Sequence, residues 1–145
     1  MKAINGFFNE FRFLSNFWMS EVVFEGIQYP SVEHAFQAAK SLELTEREWI
    51  RKAPTPKEAK HRGYKIYELR SDWEEVKIGI MEELVRQKFT NHSILQEALL
   101  LTGDAYLEET NTWNDVFWGV CNEVGENHLG KILMKVREEL TNSNN

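Results

Sequence analysis

From Ser31 onward the sequence is a succession of helix-start signals, and this succession limits the chain to a helix-dominated fold. Ser31 itself can cap a helix that we predict to extend to about Leu42. Residues 45–48 and 55–58 both have the form of a capping box, in which the first and fourth residues satisfy each other's backbone N–H groups. The second box is the stronger signal because Pro56 occupies the first helical position.

Three further helices are predicted in the second half of the chain. One begins near Asp72 and continues to about Lys88, with apolar residues recurring at helical spacing. A short leucine-rich helix covers residues 93–101, and Gly103 is placed to end it. The last helix begins near Leu129 and carries its apolar residues on one side.

The predicted β-structure is confined to short segments. Residues 21–29 contain two β-prone runs around a Glu-Gly turn, which predicts a hairpin, and residues 106–109 are predicted as a further strand. Strands and helices do not alternate in a βαβ order. We therefore expect an α+β fold, a single compact helix-dominated domain over residues 1–145 with a small antiparallel sheet and a frayed tail at 140–145.

Composition narrows the classes of function. The net charge of −6 argues against a surface that coats DNA or RNA, although it leaves room for a local basic pocket. The single cysteine, Cys121, cannot form a disulfide within the chain, and the four histidines have no zinc-site spacing, so we expect neither metal nor cofactor. Without a signal-peptide pattern or an apolar run of about 20 residues, we expect a cytoplasmic protein with no membrane partner.

The first predicted helix carries three polar residues on one face. Glu33, Gln37 and Lys40 are spaced i, i+4 and i+7, so they lie on the same side of the helix. Ala38 and Ala39 beside them permit close approach by a neighbour or a ligand. Spacing alone leaves two interpretations open, a solvated polar stripe or one wall of a binding site.

Four other stretches place polar residues in apolar surroundings, and each has two interpretations. Ser15 and Asn16 lie between aromatic rings, either as a turn or as a pocket wall. Trp73 is either a core residue or a platform for a flat ligand. Asp115 lies between two tryptophans, where it either forms a turn or serves acid–base chemistry. Residues 125–131 lead into the last helix, and they form either an anion-binding site or an ordinary helix start capped by an asparagine.

These segments and their order resemble the NADAR (YbiA-like) N-glycosidase family. The matching stretches are residues 13–17 (FLSNF), 29–40 (YPSVEHAFQAAK), 71–73 (SDW), 88–89 (KF), 101–104 (LTGD), 115–119 (DVFWG) and 125–134 (GENHLGKILM). The resemblance implies a compact α+β fold and hydrolysis of an N-glycosidic bond. It implies a small phosphoribosyl or ADP-ribosyl substrate, either a phosphoribosylamino-pyrimidine intermediate of riboflavin synthesis or ADP-ribose on guanine, which includes ADP-ribosylated nucleic acid. It indicates no oligomeric state.

The resemblance also implies a catalytic set, Glu33, Lys40 and Asp115. An N-glycosidic bond breaks through an oxocarbenium-like state, so one carboxylate stabilises the sugar or activates water while a second acid protonates the leaving nitrogen. We expect both carboxylates to converge with Lys40 around one sugar carbon, where Lys40 either holds phosphate or forms a Schiff base. The expected substrate-binding residues are Ser15, Asn16, Gln37, Trp73, Trp118, Gly119, Asn127, Arg12 and Lys88.

Two positions depart from the family pattern. Tyr64 follows Gly63, where members of the family often have an arginine, and this departure bears on substrate choice. Val120 follows Gly119, where an extra glycine is common, and this departure bears on the shape of the loop. The alternative function is a module that binds ADP-ribose or an NAD-related nucleotide without turnover. A structural or regulatory interaction protein is a third possibility, and it would require a large exposed apolar patch.

Overall fold

A computed structural model describes residues 2–143 of the chain. The contacts between Cα atoms divide it into two compact units. We call Asn16–Lys88 the central unit, and the described parts of Met1–Ser15 and Phe89–Asn145 the terminal unit. The two units are described one after the other.

Helices dominate the order of elements along the chain. In sequence they are β1 (Ala3–Asn5), a 3-10 helix (Asn9–Leu14), β2 (Met19–Phe24), β3 (Ile27–Ser31), α1 (Val32–Ala39), α2 (Leu44–Arg51), α3 (Pro56–Gly63), α4 (Trp73–Thr90), α5 (Ser93–Leu101), β4 (Tyr106–Glu108), β5 (Thr110–Asn111), β6 (Val120–Cys121) and α6 (His128–Ser143). Within residues 2–143, no helix is both long enough and apolar enough to cross a bilayer.

The predicted hairpin is confirmed and leads directly into α1. Strands β2 and β3 pair antiparallel. Glu25 and Gly26 at their junction have φ angles of 48° and 82°, the left-handed conformation that tight two-residue hairpin turns require. Ser31 is the last residue of β3 and also caps α1, because its Oγ accepts a hydrogen bond from the backbone N–H of His34 at 3.1 Å.

Helix α1 ends at Ala39, three residues before the predicted end. Its last turn tightens, since the N–H of Lys40 bonds to the carbonyl of Gln37 and the N–H of Ser41 to that of Ala38. The Ser41 hydroxyl then accepts a hydrogen bond from the N–H of Glu43 at 3.0 Å. These local bonds satisfy the backbone groups that a longer helix would have used.

The predicted cap at Thr55 is confirmed, whereas the one at Thr45 is wrong. Thr55 Oγ1 accepts from the N–H of Glu58 at 3.1 Å, at the start of α3. Helix α2 instead begins at Leu44, so Thr45 lies inside it. Glu48, the intended partner in the box, instead accepts two hydrogen bonds from the Arg51 guanidinium within the helix, at 2.7 and 2.5 Å.

The terminal unit confirms the predicted short helix and the last helix. Helix α5 covers the predicted residues 93–101, and Gly103 follows it with a φ of 64°. Helix α6 buries its apolar side and runs to Ser143. It therefore includes residues 140–143 of the segment for which we expected fraying, while residues 144 and 145 lie outside the described part of the chain.

The described strands form three sheets of two strands each, of which only β2–β3 is the predicted antiparallel sheet. The pairs β1–β4 and β5–β6 are parallel. Strand β4 follows β1 by about a hundred residues, so no hairpin signal announces their pairing. The α+β, helix-dominated class is confirmed, and the sequence analysis missed the parallel pairs.

The two threonines provide a matched test of these caps. We expect Thr55→Ala to lower the free energy of unfolding by about 1 kcal/mol, because a cap hydrogen bond is lost. Thr45→Ala should leave stability unchanged or raise it slightly, because alanine is the better former of a helix interior. Urea unfolding followed by circular dichroism measures both variants. A larger loss in Thr45→Ala would contradict the observed start of α2.

Candidate functional site

Every residue of α1 is buried, including its polar residues Glu33, His34 and Gln37. Glu33 is 7% exposed and Gln37 is 4% exposed, so the solvated-stripe interpretation of this face is wrong. The amide Nε2 of Gln37 donates to Glu33 Oε2 at 2.7 Å, across one turn of the helix. A buried carboxylate is costly unless it is hydrogen-bonded, and this amide supplies such a bond.

The other end of the Gln37 amide is an unused acceptor. Its Oε1 is buried, and no donor within residues 2–143 bonds to it. The oxygen lies against Gly63 of α3, where a Cβ would overlap it. A buried oxygen without a donor carries a penalty of about 1–3 kcal/mol, so this packing against α3 has a cost in stability.

Lys40 continues the row just beyond the end of α1. Its side chain is half-buried, and its Nζ lies 6.0 Å from the centre of the Phe36 ring and 5.6 Å from that of Tyr64. Burial lowers the pKa of Lys40, and the carboxylate of Glu33 opposes this effect. A lowered pKa increases the neutral fraction of the amine, the form that attacks carbon.

Arg70 fixes the backbone that carries Lys40, and the sequence analysis did not identify it. Its N–H donates to the carbonyl of Lys40 at 2.9 Å, and its Nη1 donates to the carbonyl of Ala39 at 3.3 Å. Asp72 accepts two hydrogen bonds from the Arg70 guanidinium, at 2.6 and 3.0 Å. The sequence feature that could have drawn attention to Arg70 is its position directly before the Ser-Asp-Trp stretch.

Trp73 and Asn16 support α1 from its two sides. The Trp73 ring packs on Phe36 with 5.0 Å between centroids and is 6% exposed, which favours the core interpretation of this tryptophan. The carbonyl of Asn16 accepts from the N–H of Glu33 at 3.2 Å, and its Nδ2 donates to Met81 Sδ at 3.4 Å. Asn16 thus holds the first turn of the helix that carries the carboxylate.

His34 is a structural histidine within the same helix. Its Nδ1 lies 2.7 Å from Ser31 Oγ and its Nε2 lies 2.9 Å from the carbonyl of Ala53. Burial lowers its pKa, which favours the neutral ring. Within the described residues, no group of three or more His, Cys, Asp or Glu side chains is arranged to hold a metal ion.

In the terminal unit, Asp115 forms a turn. Its Oδ1 accepts from the N–H of Phe117 at 3.1 Å and from that of Trp118 at 2.9 Å. Asn111 braces the same turn, since its side chain bonds to both the N–H and the carbonyl of Asp115. The turn interpretation accounts for this geometry, while a role for the charge of Asp115 in acid–base chemistry stays a prediction.

Trp118 and Gly119 follow this turn. The half-buried indole of Trp118 packs edge-to-face on Phe117, with 4.8 Å between centroids. Gly119 passes so close to the carbonyl of Glu109 that a Cβ would overlap that oxygen. Only glycine fits at position 119, because the backbone of Glu109 lies too close for a Cβ. Trp118 is partly exposed to solvent.

Asn127 is 1% exposed, and its side chain bonds to backbone. Its Oδ1 accepts from the N–H of Glu109 at 3.0 Å, and its Nδ2 donates to the carbonyl of Leu107 at 2.9 Å. The side chain thus holds β4 and does not cap α6. The first N–H groups of α6, those of His128 and Leu129, donate to carbonyls, so they are not available for the predicted anion site.

The remaining predicted contacts are Ser15, Arg12 and Lys88. The N–H of Ser15 bonds to the carbonyl of Arg12 at the end of the 3-10 helix, and the Arg12 side chain is exposed. Lys88 is 1% exposed, and burial lowers its pKa to about 7. That burial argues against Lys88 as a phosphate ligand, since a phosphate would have to reach a nitrogen in the interior.

The structure therefore brings together some of the predicted site residues, those of the central unit. Glu33, Gln37 and Lys40 form a continuous row in the central unit, and Arg70 and Asp72 hold the end of that row. Asp115, Trp118, Gly119 and Asn127 belong to the terminal unit. The convergence of Glu33 and Asp115 on one sugar carbon stays a prediction.

Comparisons with a family model, with the sequences of known proteins and with a solved structure agree with one another. The family model described as the NADAR domain matches residues 5–141. The chain is 43% identical over 133 residues to N-glycosidase Npun_R5314 of Nostoc punctiforme, covering 88% of this chain and 85% of that protein. It is 37% identical over 131 residues to riboflavin biosynthesis protein VVA0006 of Vibrio vulnificus, covering 88% of this chain and 35% of that protein. The NMR structure of the E. coli protein YbiA aligns with a TM-score of 0.87 at 35% identity, covering 99% of this chain and 87% of that chain.

The charge on Glu33 is expected to control the proton affinity of Lys40. Glu33→Gln should lower the pKa of Lys40 further, because the carboxylate that favours the ammonium form is removed. The pH dependence of Lys40 acylation, followed by peptide mass spectrometry, should shift its midpoint to lower pH. Glu97→Gln, at an exposed position of α5, serves as the control and should leave the midpoint unchanged.

Two substitutions at Asp115 separate its turn from its charge. Asp115→Ala removes the acceptor of two N–H groups and should lower the free energy of unfolding by about 1–2 kcal/mol. Asp115→Asn keeps an acceptor oxygen at the same place, so it should lose clearly less stability. Chemical denaturation of both variants tests this. Equal losses would mean that the carboxylate charge, and not the acceptor geometry, stabilises the turn.

Proposed function

The chain belongs to the NADAR family, and from this premise we propose that it hydrolyses the N-glycosidic bond of a phosphorylated ribosyl compound. The resemblance predicted from the sequence is thereby confirmed. The observation that carries the proposal is the row formed by the buried Glu33 and Gln37 of α1 and the half-buried Lys40 just beyond it. A carboxylate can stabilise the positive charge that develops at an anomeric carbon, and an amine can attack that carbon.

Glu33 is the carboxylate nearest to the reacting carbon in this proposal. Positive charge develops on the sugar as the bond to nitrogen breaks, and a buried carboxylate stabilises it more strongly than an exposed one. The Gln37 amide holds one carboxylate oxygen at 2.7 Å, so the group is oriented before substrate arrives.

Lys40 has two possible roles, and its lowered pKa favours the covalent one. The neutral amine attacks the anomeric carbon, the bond to the base nitrogen breaks, an acid protonates the departing base, and the proton that the amine loses restores that acid. The sugar ring then opens to a Schiff base, and water hydrolyses it to free ribose phosphate and the restored amine. Asp115 stays our candidate for the acid that serves the leaving nitrogen.

Two substrate classes fit the proposal. A riboflavin biosynthesis protein among the relatives favours phosphoribosylamino-pyrimidine intermediates of that pathway. ADP-ribose on guanine, free or in nucleic acid, shares the same N-bonded ribose and phosphate. We place the reaction in the cytoplasm, since the one cysteine, Cys121, is buried and free and gives the chain no disulfide to maintain.

A panel of N-ribosylated compounds tests the function directly. The chain is incubated with each compound, including ADP-ribosylated guanine DNA, and mass spectrometry detects released base and free ribose phosphate. Release from the pyrimidine intermediates or from the modified DNA identifies the substrate class. Binding of ADP-ribose without release of base from any compound would favour the alternative, a nucleotide-binding module without turnover.

Removal of the Glu33 charge tests the mechanism. Glu33→Gln should still bind substrate but lower turnover by about 10²-fold or more, the scale expected for a positioned acid–base group. Glu97→Gln, at an exposed position of α5, is the matched control and should retain full activity. Undiminished cleavage by Glu33→Gln would remove this carboxylate from the mechanism.

A further inference from the structure

Two aromatic rings lie close to the amine of Lys40, and only one of them is exposed. The Nζ lies 6.0 Å from the centre of the Phe36 ring and 5.6 Å from that of the Tyr64 ring. Phe36 is buried and packs on Trp73, whereas Tyr64 is 73% exposed. Of the two rings, Tyr64 is therefore the one that a ligand from solvent can reach.

The backbone at Tyr64 is fixed against the helix that carries the candidate site. Tyr64 directly follows α3, and its N–H donates to the carbonyl of His61 at 3.2 Å. Gly63, the residue before it, lies so close to the Gln37 side chain that a Cβ would overlap the amide. Although the Tyr64 ring is exposed, it starts from a backbone position that packing between α1 and α3 determines.

The segment that follows Tyr64 is also tied to the surroundings of Lys40. The N–H of Tyr67 donates to Glu46 Oε2 at 2.7 Å, and the N–H of Arg70 donates to the carbonyl of Lys40 at 2.9 Å. Tyr67 is 92% exposed. The segment thus carries two exposed tyrosines, of which Tyr64 is the one whose ring lies beside the Lys40 amine.

The distance between the Tyr64 ring and the amine suits contact with a substrate. When the amine attacks, the reacting carbon lies about 3–3.5 Å from Nζ. The base is bonded to that same carbon, so it comes close to a ring whose centre is 5.6 Å from Nζ. Because stacked aromatic rings have centroids about 4.5–7 Å apart, the base and the Tyr64 ring lie within stacking reach.

We propose that Tyr64 stacks on the base of the ribosyl substrate and is a specificity-determining residue of this chain. The inference rests on the proposed function for the reaction, and on the distance between the Tyr64 ring and Nζ for the contact. Tyr64 is absent from the predicted binding residues, and it occupies one of the two positions where the sequence departs from the family pattern.

A tyrosine ring suits this contact for two reasons. Stacking tolerates different bases because every base has a π-face, so a pyrimidine and a guanine both fit. The face of an aromatic ring also attracts a cation within about 6 Å of its centre, so the free protein already keeps the amine beside this ring. Tyr64 therefore joins the group that attacks the sugar to the group that leaves it.

Two ligands that differ only in the base test the inference independently of turnover. Titrations followed by NMR chemical shifts give the Kd of guanosine 5′-monophosphate and of ribose 5-phosphate for the full chain, as wild type, Tyr64→Leu and Tyr64→Phe. The wild type should bind the nucleotide about tenfold more tightly, which is the scale of stacking on one base. Tyr64→Leu should lose that advantage while it binds ribose 5-phosphate as before, and Tyr64→Phe should keep it.

Tyr67→Leu is the matched control, since Tyr67 is an exposed tyrosine of the same segment, and it should leave both affinities unchanged. Equal wild-type affinity for the two ligands would overturn the inference, and so would a retained advantage in Tyr64→Leu. An equal loss in Tyr67→Leu, or a loss for both ligands alike in Tyr64→Leu, would also overturn it.

The same variants separate this inference from the proposed function. If the advantage of the nucleotide depends on Tyr64 but the chain cleaves no compound of the panel, the proposed function fails while the stacking contact stands. If Tyr64→Leu cleaves a compound of the panel with the wild-type KM, the proposed function stands and the stacking contact is overturned.

Discussion

The hydrogen bond between Gln37 and Glu33 is the interaction on which the candidate site depends. It keeps a carboxylate oriented in a helix that is buried along its whole length. The carboxylate of Glu33 is 7% exposed, and this hydrogen bond offsets part of the cost of burying it. The same charge raises the proton affinity of Lys40, so a single amide influences both groups.

Both ends of α1 are held by side-chain and main-chain hydrogen bonds within the central unit. Ser31 caps the first turn, and the carbonyl of Asn16 accepts the N–H of Glu33. At the other end, Arg70 bonds to two carbonyls while Asp72 orients its guanidinium. A short helix fixed at both ends presents its side chains with little freedom, which is the pre-organisation that catalysis at a sugar carbon requires.

Local signals predicted most of the helices, and non-local contacts set the rest. Ser31 and Thr55 cap their helices as expected because a cap needs only the residues that follow it. The predicted cap at Thr45 is wrong because α2 already begins at Leu44 and Glu48 pairs with Arg51. The parallel pairing of β1 with β4, the clamp by Arg70 and the structural use of Asn127 all join segments far apart in the chain, and no pattern in one sequence reports them.

The absence of a side chain at Gly63 has a consequence for how the site is tuned. Helix α3 can lie directly against the Gln37 amide only because position 63 bears a hydrogen atom. The closeness of α3 therefore helps to fix the orientation of the amide that bonds to Glu33. A single methyl group added at position 63 would overlap the Gln37 amide, so it would disturb the partner of the carboxylate without touching Glu33 itself.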